Sequence, residues 1–246
     1  MNKLIIMLIM MFALPLSCWG EAESWVLGDM DGDRIVDVSD VSAAINVILN
    51  TNNSVNYSGN ADVTGDNVVD VTDVNKIINI ILKVEPKVTV YKVNGITFSM
   101  IEVLGGTYMM GATEEQLPYA DNCEKPAHEV TVSNFVIGQT TVTQELWMAI
   151  MGNNPSHFNG VQGSSDYGVD FKRPVECLTW NDVQDFLDEL NLLTGAGFRL
   201  PTEAEWEFAA RGGKKSHGYL YSGSNDFNEV GWSYQNTVYC TQPSQL

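Results

Sequence analysis

Apolar positions change period three times along the chain. Leu4 to Leu14 is an unbroken apolar run. Val41, Ala44, Ile45, Ile48 and Leu49 then fall at i, i+3, i+4, i+7 and i+8, which predicts an amphipathic helix. Val74, Ile77, Ile78, Ile81 and Leu82 repeat that spacing and predict a second helix, with the two stripes packed on each other. From Val88 the period drops to two: Val88, Val90, Tyr91 and Val93, then Phe98 to Val103, read as strands. Further strands are expected at Tyr108 to Met110, His128 to Val132 and Phe135 to Ile137. Helical spacing returns behind Thr143 (Leu146, Trp147, Ile150), behind Thr179 with Asp182 (Val183, Phe186, Leu187, Leu190), and from Thr202 to Ala210. In the last two, Thr179 with Asp182 and Thr202 with Glu205 have the spacing of a capping box. The series predicts an α+β chain of two units: helical repeats at 27–84, a linker at 85–94, and a mixed unit at 95–246.

Lys3, the apolar run and the small and acidic residues that follow have the layout of a secretory signal over residues 1–22, and the run is too short to span a bilayer comfortably. Cleavage after Gly20 or Ala22 leaves a soluble secreted chain, and processing before Cys18 leaves a lipid-anchored one at the cell surface. Cys123, Cys177 and Cys240 have no CxxC spacing, so no zinc site is indicated, and Cys177, in the apolar stretch Val175 to Trp180, reads as a buried thiol. His128, His157 and His217 form no pair at helical ligand spacing. With 31 acidic against 13 basic residues, a net charge of -18, the chain would repel a phosphate backbone, so nucleic acid is excluded as a partner.

The acidic residues are not spread evenly. Asp29-Met30-Asp31-Gly32-Asp33-Arg34-Ile35-Val36-Asp37-Val38-Ser39-Asp40 recurs 33 residues later as Asp62-Val63-Thr64-Gly65-Asp66-Asn67-Val68-Val69-Asp70-Val71-Thr72-Asp73. A hard cation needs six to eight oxygens, and an EF-hand loop supplies them from positions 1, 3, 5, 7, 9 and 12. Those positions are Asp29, Asp31, Asp33, the Ile35 carbonyl, Asp37 and Asp40 in loop one. In loop two they are Asp62, Thr64, Asp66, the Val68 carbonyl, Asp70 and Asp73. Two Ca²⁺ sites are expected, with Val36 and Val69 turned to the core. Position 6, usually Gly, is Arg34 or Asn67, and Thr64 replaces a carboxylate, so neither site has the ideal ligand set. Without the cation, crowded carboxylates repel one another and the segment should be loose.

The EF-hand has a helix before the loop, but the segments ahead of Asp29 and Asp62 are short, and Asn52 to Gly59 is rich in Asn, Ser and Gly. Loop, missing entering helix, duplication and the Ile-Asn-x-Ile-Leu endings at Ile45 to Leu49 and Ile78 to Leu82 together resemble the type I dockerin module, over roughly Leu27 to Lys83. The resemblance implies calcium-dependent docking to a cohesin domain. It assigns partner selection to loop positions 10 and 11, here Val38 with Ser39 and Val71 with Thr72. Because the two pairs are nearly alike, either half could present the same face after a half-turn.

A second ordered series follows: Gly105-Gly106-Thr107-Tyr108-Met109-Met110-Gly111, Thr141-Val142-Thr143 with Trp147, Asn154-Pro155-Ser156, Arg173-Pro174-Val175 with Trp180-Asn181-Asp182, and Arg199-Leu200-Pro201-Thr202-Glu203-Ala204-Glu205-Trp206-Glu207 to Arg211-Gly212-Gly213. It is similar to the sulfatase-modifying, or formylglycine-generating-enzyme, family, from about Gly95 to Trp232. That resemblance implies a variant of the C-type-lectin-like α+β fold and an oxidase that makes formylglycine from cysteine with copper held by a cysteine pair. The family's later GNVWEW-like and RGGSW-like segments do not occur before Leu246. The expectation is therefore a truncated, inactive domain with no catalytic residue, no copper unless the rest of the domain exists, and strands near Phe98 to Val103 left without partners. The combined reading is a secreted, calcium-binding, dockerin-like protein that docks to a cohesin. The alternatives are a fragment of the oxidoreductase, with a sulfatase as partner, or a lectin-like module that binds a glycan.

Overall fold

The computed structural model describes residues 22–49, 60–114, 116–117, 120–160 and 169–231. The expected signal segment other than Ala22, Asn52 to Gly59, Trp232 and Cys240 lie outside the described residues.

Strand β1 (Glu23–Val26) comes first, ahead of two eleven-residue helices, α1 (Val38–Ile48) and α2 (Val71–Ile81). Strands β2 (Val88–Val93), β3 (Ile96–Val103), β4 (Gly106–Met110), β5 (His128–Val132) and β6 (Phe135–Gly138) follow. Then come α3 (Gln144–Met151), α4 (Trp180–Thr194), α5 (Glu203–Ala210) and the short α6 (Phe227–Val230). The mixed helix and antiparallel-sheet content is the α+β class expected, and each helix predicted from a Thr cap begins at that Thr.

The expected linker at 85–94 is not one. Val88–Val93 is an inner strand of a four-stranded antiparallel sheet in the order β1-β2-β3-β6, paired with β1 from Glu23↔Lys92 to Val26↔Thr89 and with β3 from Val88↔Ile101 to Val93↔Ile96. The alternating pattern of Val88, Val90 and Val93 is the sign of a strand, and β1 supplies its outer partner from the far side of the repeats. Asn94 and Gly95, both at positive φ, make the tight turn to β3. The expectation that strands near Phe98 to Val103 lack partners is likewise overturned. β3 is paired on both sides, with β2 through this local turn and with β6 from Met100↔Gly138 to Val103↔Phe135.

β4 and β5 form a separate two-stranded sheet. The chain changes sheet at Leu104-Gly105 and again at Ser133-Asn134, and the two crossings touch: a Cβ on Gly105 would lie 2.3 Å from the Val132 carbonyl oxygen. Only glycine fits there. The Asn134 side chain accepts a hydrogen bond from the Gly105 N–H at 2.9 Å and closes the crossing.

Val93, Leu146, Trp147, Phe186 and Leu190 form the core between this sheet and helices α3 and α4, with Trp147 stacked on Phe186 at 4.9 Å. Buried Gln144 accepts from Asn154 Nδ2 and donates to the Phe158 carbonyl, tying α3 to the loop after it. The repeats have their own core of Ala44, Val63, Val74, Ile77 and Ile80. Here the predicted stripes are partly corrected. Ala44, Val74 and Ile77 are buried as expected and Ile80 joins them, but Ile45, Ile48, Leu49, Ile78 and Leu82 are exposed. The small side chain of Ala44 brings the helices together on a narrow seam and leaves the flanking Ile and Leu residues outside it.

Ile77→Ala is expected to destabilise the repeats by about 2–5 kcal/mol, whereas Ile45→Ala, at an exposed position, should cost less than about 1 kcal/mol. Chemical denaturation followed by helical circular dichroism checks this, and equal losses would rule out the narrow seam.

Candidate metal centre

Both acidic loops are organised by their first aspartate. Asp29 Oδ1 accepts from Gly32 N–H at 2.7 Å and Oδ2 from Arg34 N–H at 2.8 Å. Asp62 receives the matching bonds from Gly65 and Asn67, both at 2.7 Å. Positions 4 and 6 turn with positive φ: 82° and 69° at Gly32 and Arg34, 79° and 66° at Gly65 and Asn67. Position 6, usually Gly, thus has left-handed backbone in both loops, and Arg34 bears it without the freedom of glycine.

The last aspartate closes each loop. Asp40 accepts from Met30 N–H at 2.6 Å and from Asp37 N–H at 2.8 Å, and is 0% exposed. Asp73, also 0% exposed, accepts from Thr64 N–H at 2.9 Å and Asp70 N–H at 2.9 Å. One carboxylate at position 12 therefore joins the start of its loop to the start of its helix, and Asp37 or Asp70 completes a capping box there.

In loop one, carboxylate oxygens of Asp29, Asp31 and Asp40 lie within 4.8 Å of one another. Burial raises the pKa of Asp40 and the charge of Asp31 raises it further, against the lowering effect of the Asp37 and Met30 amides. Burial pushes Asp73 upward too, but the Asp70 and Thr64 amides and the Thr64 hydroxyl outweigh it and leave its pKa lowered. The Thr64 hydroxyl lies 3.1 Å from Asp73 and 3.2 Å from Asp62, where loop one has the charge of Asp31. The same position is thus electrostatically strained in loop one and relieved in loop two. Hard oxygens with excess negative charge fit a divalent cation such as Ca²⁺.

Of the other predicted ligands, Asp33 and Asp66 accept from the Ile35 and Val68 N–H groups, and Asp37 and Asp70 from the Ser39 and Thr72 N–H groups. Ser39 donates from Oγ to Asp31 at 3.0 Å, but Thr72 donates to its own cap, Asp70, at 2.6 Å. The pairs that look equivalent in sequence therefore make different bonds.

Two contributors escaped the sequence reading. Asn60, buried, donates from Nδ2 to the Asp29 carbonyl at 2.8 Å, and its own carbonyl accepts from Gly28 N–H at 3.3 Å. Its signal was a break in the repeat, because Asn60 stands where the first copy has Leu27. Lys87 donates to the Arg34 carbonyl at 2.8 Å, a contact across 53 residues with no local signature.

In the second unit the motif residues brace the fold. Glu207 accepts from Gly111 N–H at 2.8 Å and pairs with Arg211, which donates to the Gly111 carbonyl at 2.6 Å. Arg199 forms a two-bond pair with Glu205, at 2.6 and 2.8 Å. Hydrogen bonding to Arg199 first, and the Thr202 amide next, holds the Glu205 carboxyl down at about 2 from the usual 4.5. Cys177 is exposed, not buried as expected. Its backbone has φ 62°, and its thiol turns outward to donate to Glu176 at 2.8 Å, a bond that raises its pKa. Cys123 is likewise a free, exposed thiol.

A family model described as the sulfatase-modifying factor enzyme 1-like domain matches residues 90–244, and one described as the dockerin type I domain matches residues 27–82. The chaperone protein LppX of Paenibacillus barcinonensis is 36% identical over 140 residues, 44% of this chain and 46% of that protein. The formylglycine-generating enzyme of Bos taurus is 33% identical over 100 residues, 41% of this chain and 24% of that protein. Among solved structures, the Treponema denticola variable protein 1 aligns with a TM-score of 0.46 and 29% identity, over 58% of this chain and 62% of that one. The chain thus spans less than half the length of these two curated relatives.

Asp40→Ala and Asp73→Ala should each lower calcium stoichiometry from two to one in titration calorimetry. Retention of two in either variant would remove that loop from the reading. The lowered Glu205 pKa stabilises the fold above about pH 4.5, an effect lost as pH falls toward about 2. Glu205→Ala should flatten the fall in melting temperature across that window, and an unchanged profile would show that the pair is not felt in stability.

Proposed function

The chain belongs to the sulfatase-modifying factor enzyme 1-like family and carries a dockerin type I domain ahead of that region, and on that premise we propose that it is an exported assembly protein. Type I dockerin domains bind calcium and generally bind cohesins. Here the reading is that both loops hold Ca²⁺ and that the loaded repeats dock onto a cohesin-type domain. The observation that carries it is a duplicated exposed apolar surface. Val38 and Val71, 70% and 62% exposed, begin the two helices, and Ile45, Ile48 and Leu49 on one side and Ile78 and Leu82 on the other extend the surface. Apolar side chains displayed twice at equivalent places are a surface for a partner.

Export is supported by the run from Leu4 to Leu14. Ala22 packs against the core of the second unit, so cleavage after Gly20 keeps that contact, whereas cleavage after Ala22 removes it. For the second unit the proposal is binding without catalysis. It is supported by motif residues engaged in bracing, Glu207 and Arg211 at Gly111 and Arg199 on Glu205, while the family match at 90–244 keeps an oxidase as the competing reading.

The test is capture on an immobilised cohesin domain in calcium and in chelator, with copper content and oxygen consumption measured on the same protein. Substituting Val38 and Ser39 alone, or Val71 and Thr72 alone, should weaken capture only a few-fold, and substituting all four should cost about a hundredfold or more. Capture that persists in chelator would sink the docking reading, and oxygen consumption with bound copper would sink the non-catalytic one.

A further inference from the structure

Loop one does not hang free of the mixed unit. β1 is paired with β2 along its whole length, and the pairing continues one residue further, where Leu27 N–H donates to the Val88 carbonyl at 3.0 Å. The chain then turns through Gly28, at φ 85°, where a Cβ would lie 3.3 Å from Ile77, and reaches Asp29, whose N–H donates back to the Val26 carbonyl at 3.2 Å. The last residue of an edge strand and the first ligand position of the loop are thus joined within one turn.

The far side of the loop is tied to the same sheet. Lys87, whose carbonyl accepts from Glu102 N–H at 2.9 Å as an extension of the β2–β3 pairing, sends its ammonium to the Arg34 carbonyl at 2.8 Å. Arg34 is the residue at position 6 with the left-handed backbone, directly before the position-7 carbonyl of Ile35. Ile35 lines a groove of about 780 Å³ together with Ile101, Val103 and Ile137 of β3 and β6. Among the described residues the side-chain hydrogen bonds of loop two stay within the loop, and the turn after α2 is held instead at Val84, whose carbonyl accepts from Lys215 in the turn after α5.

We infer that loop one is a cation-dependent clasp on the mixed sheet, so that filling this loop, more than filling loop two, decides whether edge strand β1 stays docked on β2. The inference rests on the reading of the loops as calcium sites. Asp29, Asp31 and Asp40 crowd their charges at one end of the clasp, and neutralising them fixes the stretch from Val26 to Asp29 and with it the register of β1. With the charges uncompensated, the repulsion acts on the residue next to an edge strand of four residues that has a strand neighbour on one side alone. The two ends of the repeats, at Leu27 and Lys87, then lose the fixed separation that β1–β2 pairing requires.

Hydrogen exchange of the full chain, read by mass spectrometry in calcium, in chelator and in magnesium, tests this alongside titration calorimetry. Calcium should slow exchange in residues 23–26 by about tenfold or more, while peptides from α3 and α4 change little and serve as the check on folding. Asp40→Ala should abolish the slowing at β1, and Asp73→Ala should keep most of it. Lys87→Met should weaken the effect at β1 while leaving calcium stoichiometry at two. If calorimetry shows no calcium binding, the metal reading fails and the clasp with it. If calcium binds but exchange at 23–26 is unchanged, or if Asp73→Ala acts as strongly as Asp40→Ala, the clasp alone is overturned.

Discussion

Leu27 donates to the carbonyl of Val88, and around that bond two distant pieces of chain become neighbouring strands. Everything between them, both acidic loops and both short helices, is an insertion whose ends must stay a strand spacing apart. The pairing gives β2 a partner on its outer side, so that a strand whose apolar residues are buried lies within the sheet and not at its edge. It also brings Lys87 within reach of the Arg34 carbonyl and sets loop one beside β3 and β6.

The two loops show how one residue changes the electrostatics of an otherwise repeated design. Asp40 and Asp73 occupy the same place, with no solvent exposure and with the same two kinds of amide donor. The difference is position 3, where Asp31 adds a charge and Thr64 adds a donor. Loop one concentrates negative charge that a cation would neutralise; loop two has already relieved part of it with a hydroxyl. More carboxylates favour cation binding and oppose the folded loop without it, so affinity and cation-free stability pull in opposite directions.

In the mixed unit the residues most easily noticed in the sequence have structural duties. Gly105 lets two sheet crossings touch, Glu207 and Arg211 anchor the end of β4 at Gly111, and Glu205 joins a helix cap to Arg199. A motif that identifies a family identifies its fold first, and chemistry follows only where the site residues are assembled. The aromatic trio Tyr91, Phe98 and Phe198, with ring centroids 5.1 to 5.7 Å apart, is held by the same sheet and belongs to its packing.

Much of this was legible in the residues alone. The helix starts at Thr143, Thr179 and Thr202 follow from hydroxyl caps, and the acidic repeat follows from identical spacing, because both depend on neighbours a few residues away. Local rules could not show that Val88–Val93 pairs with residues before the repeats, or that Ile45 and Ile78 face outward while Ile80 faces inward. Nor could they show that the Cys177 thiol turns to Glu176, or that Asn60 and Lys87 hold loop one from outside it. By itself the sequence determined where the longer helices start, where most strands run and where the acidic residues cluster, though not the strand at Glu23–Val26, since capping, periodicity and loop spacing act over a single turn. The tertiary structure alone decided which strand covers which and which apolar face stays exposed, since those outcomes depend on contacts between residues far apart in the chain.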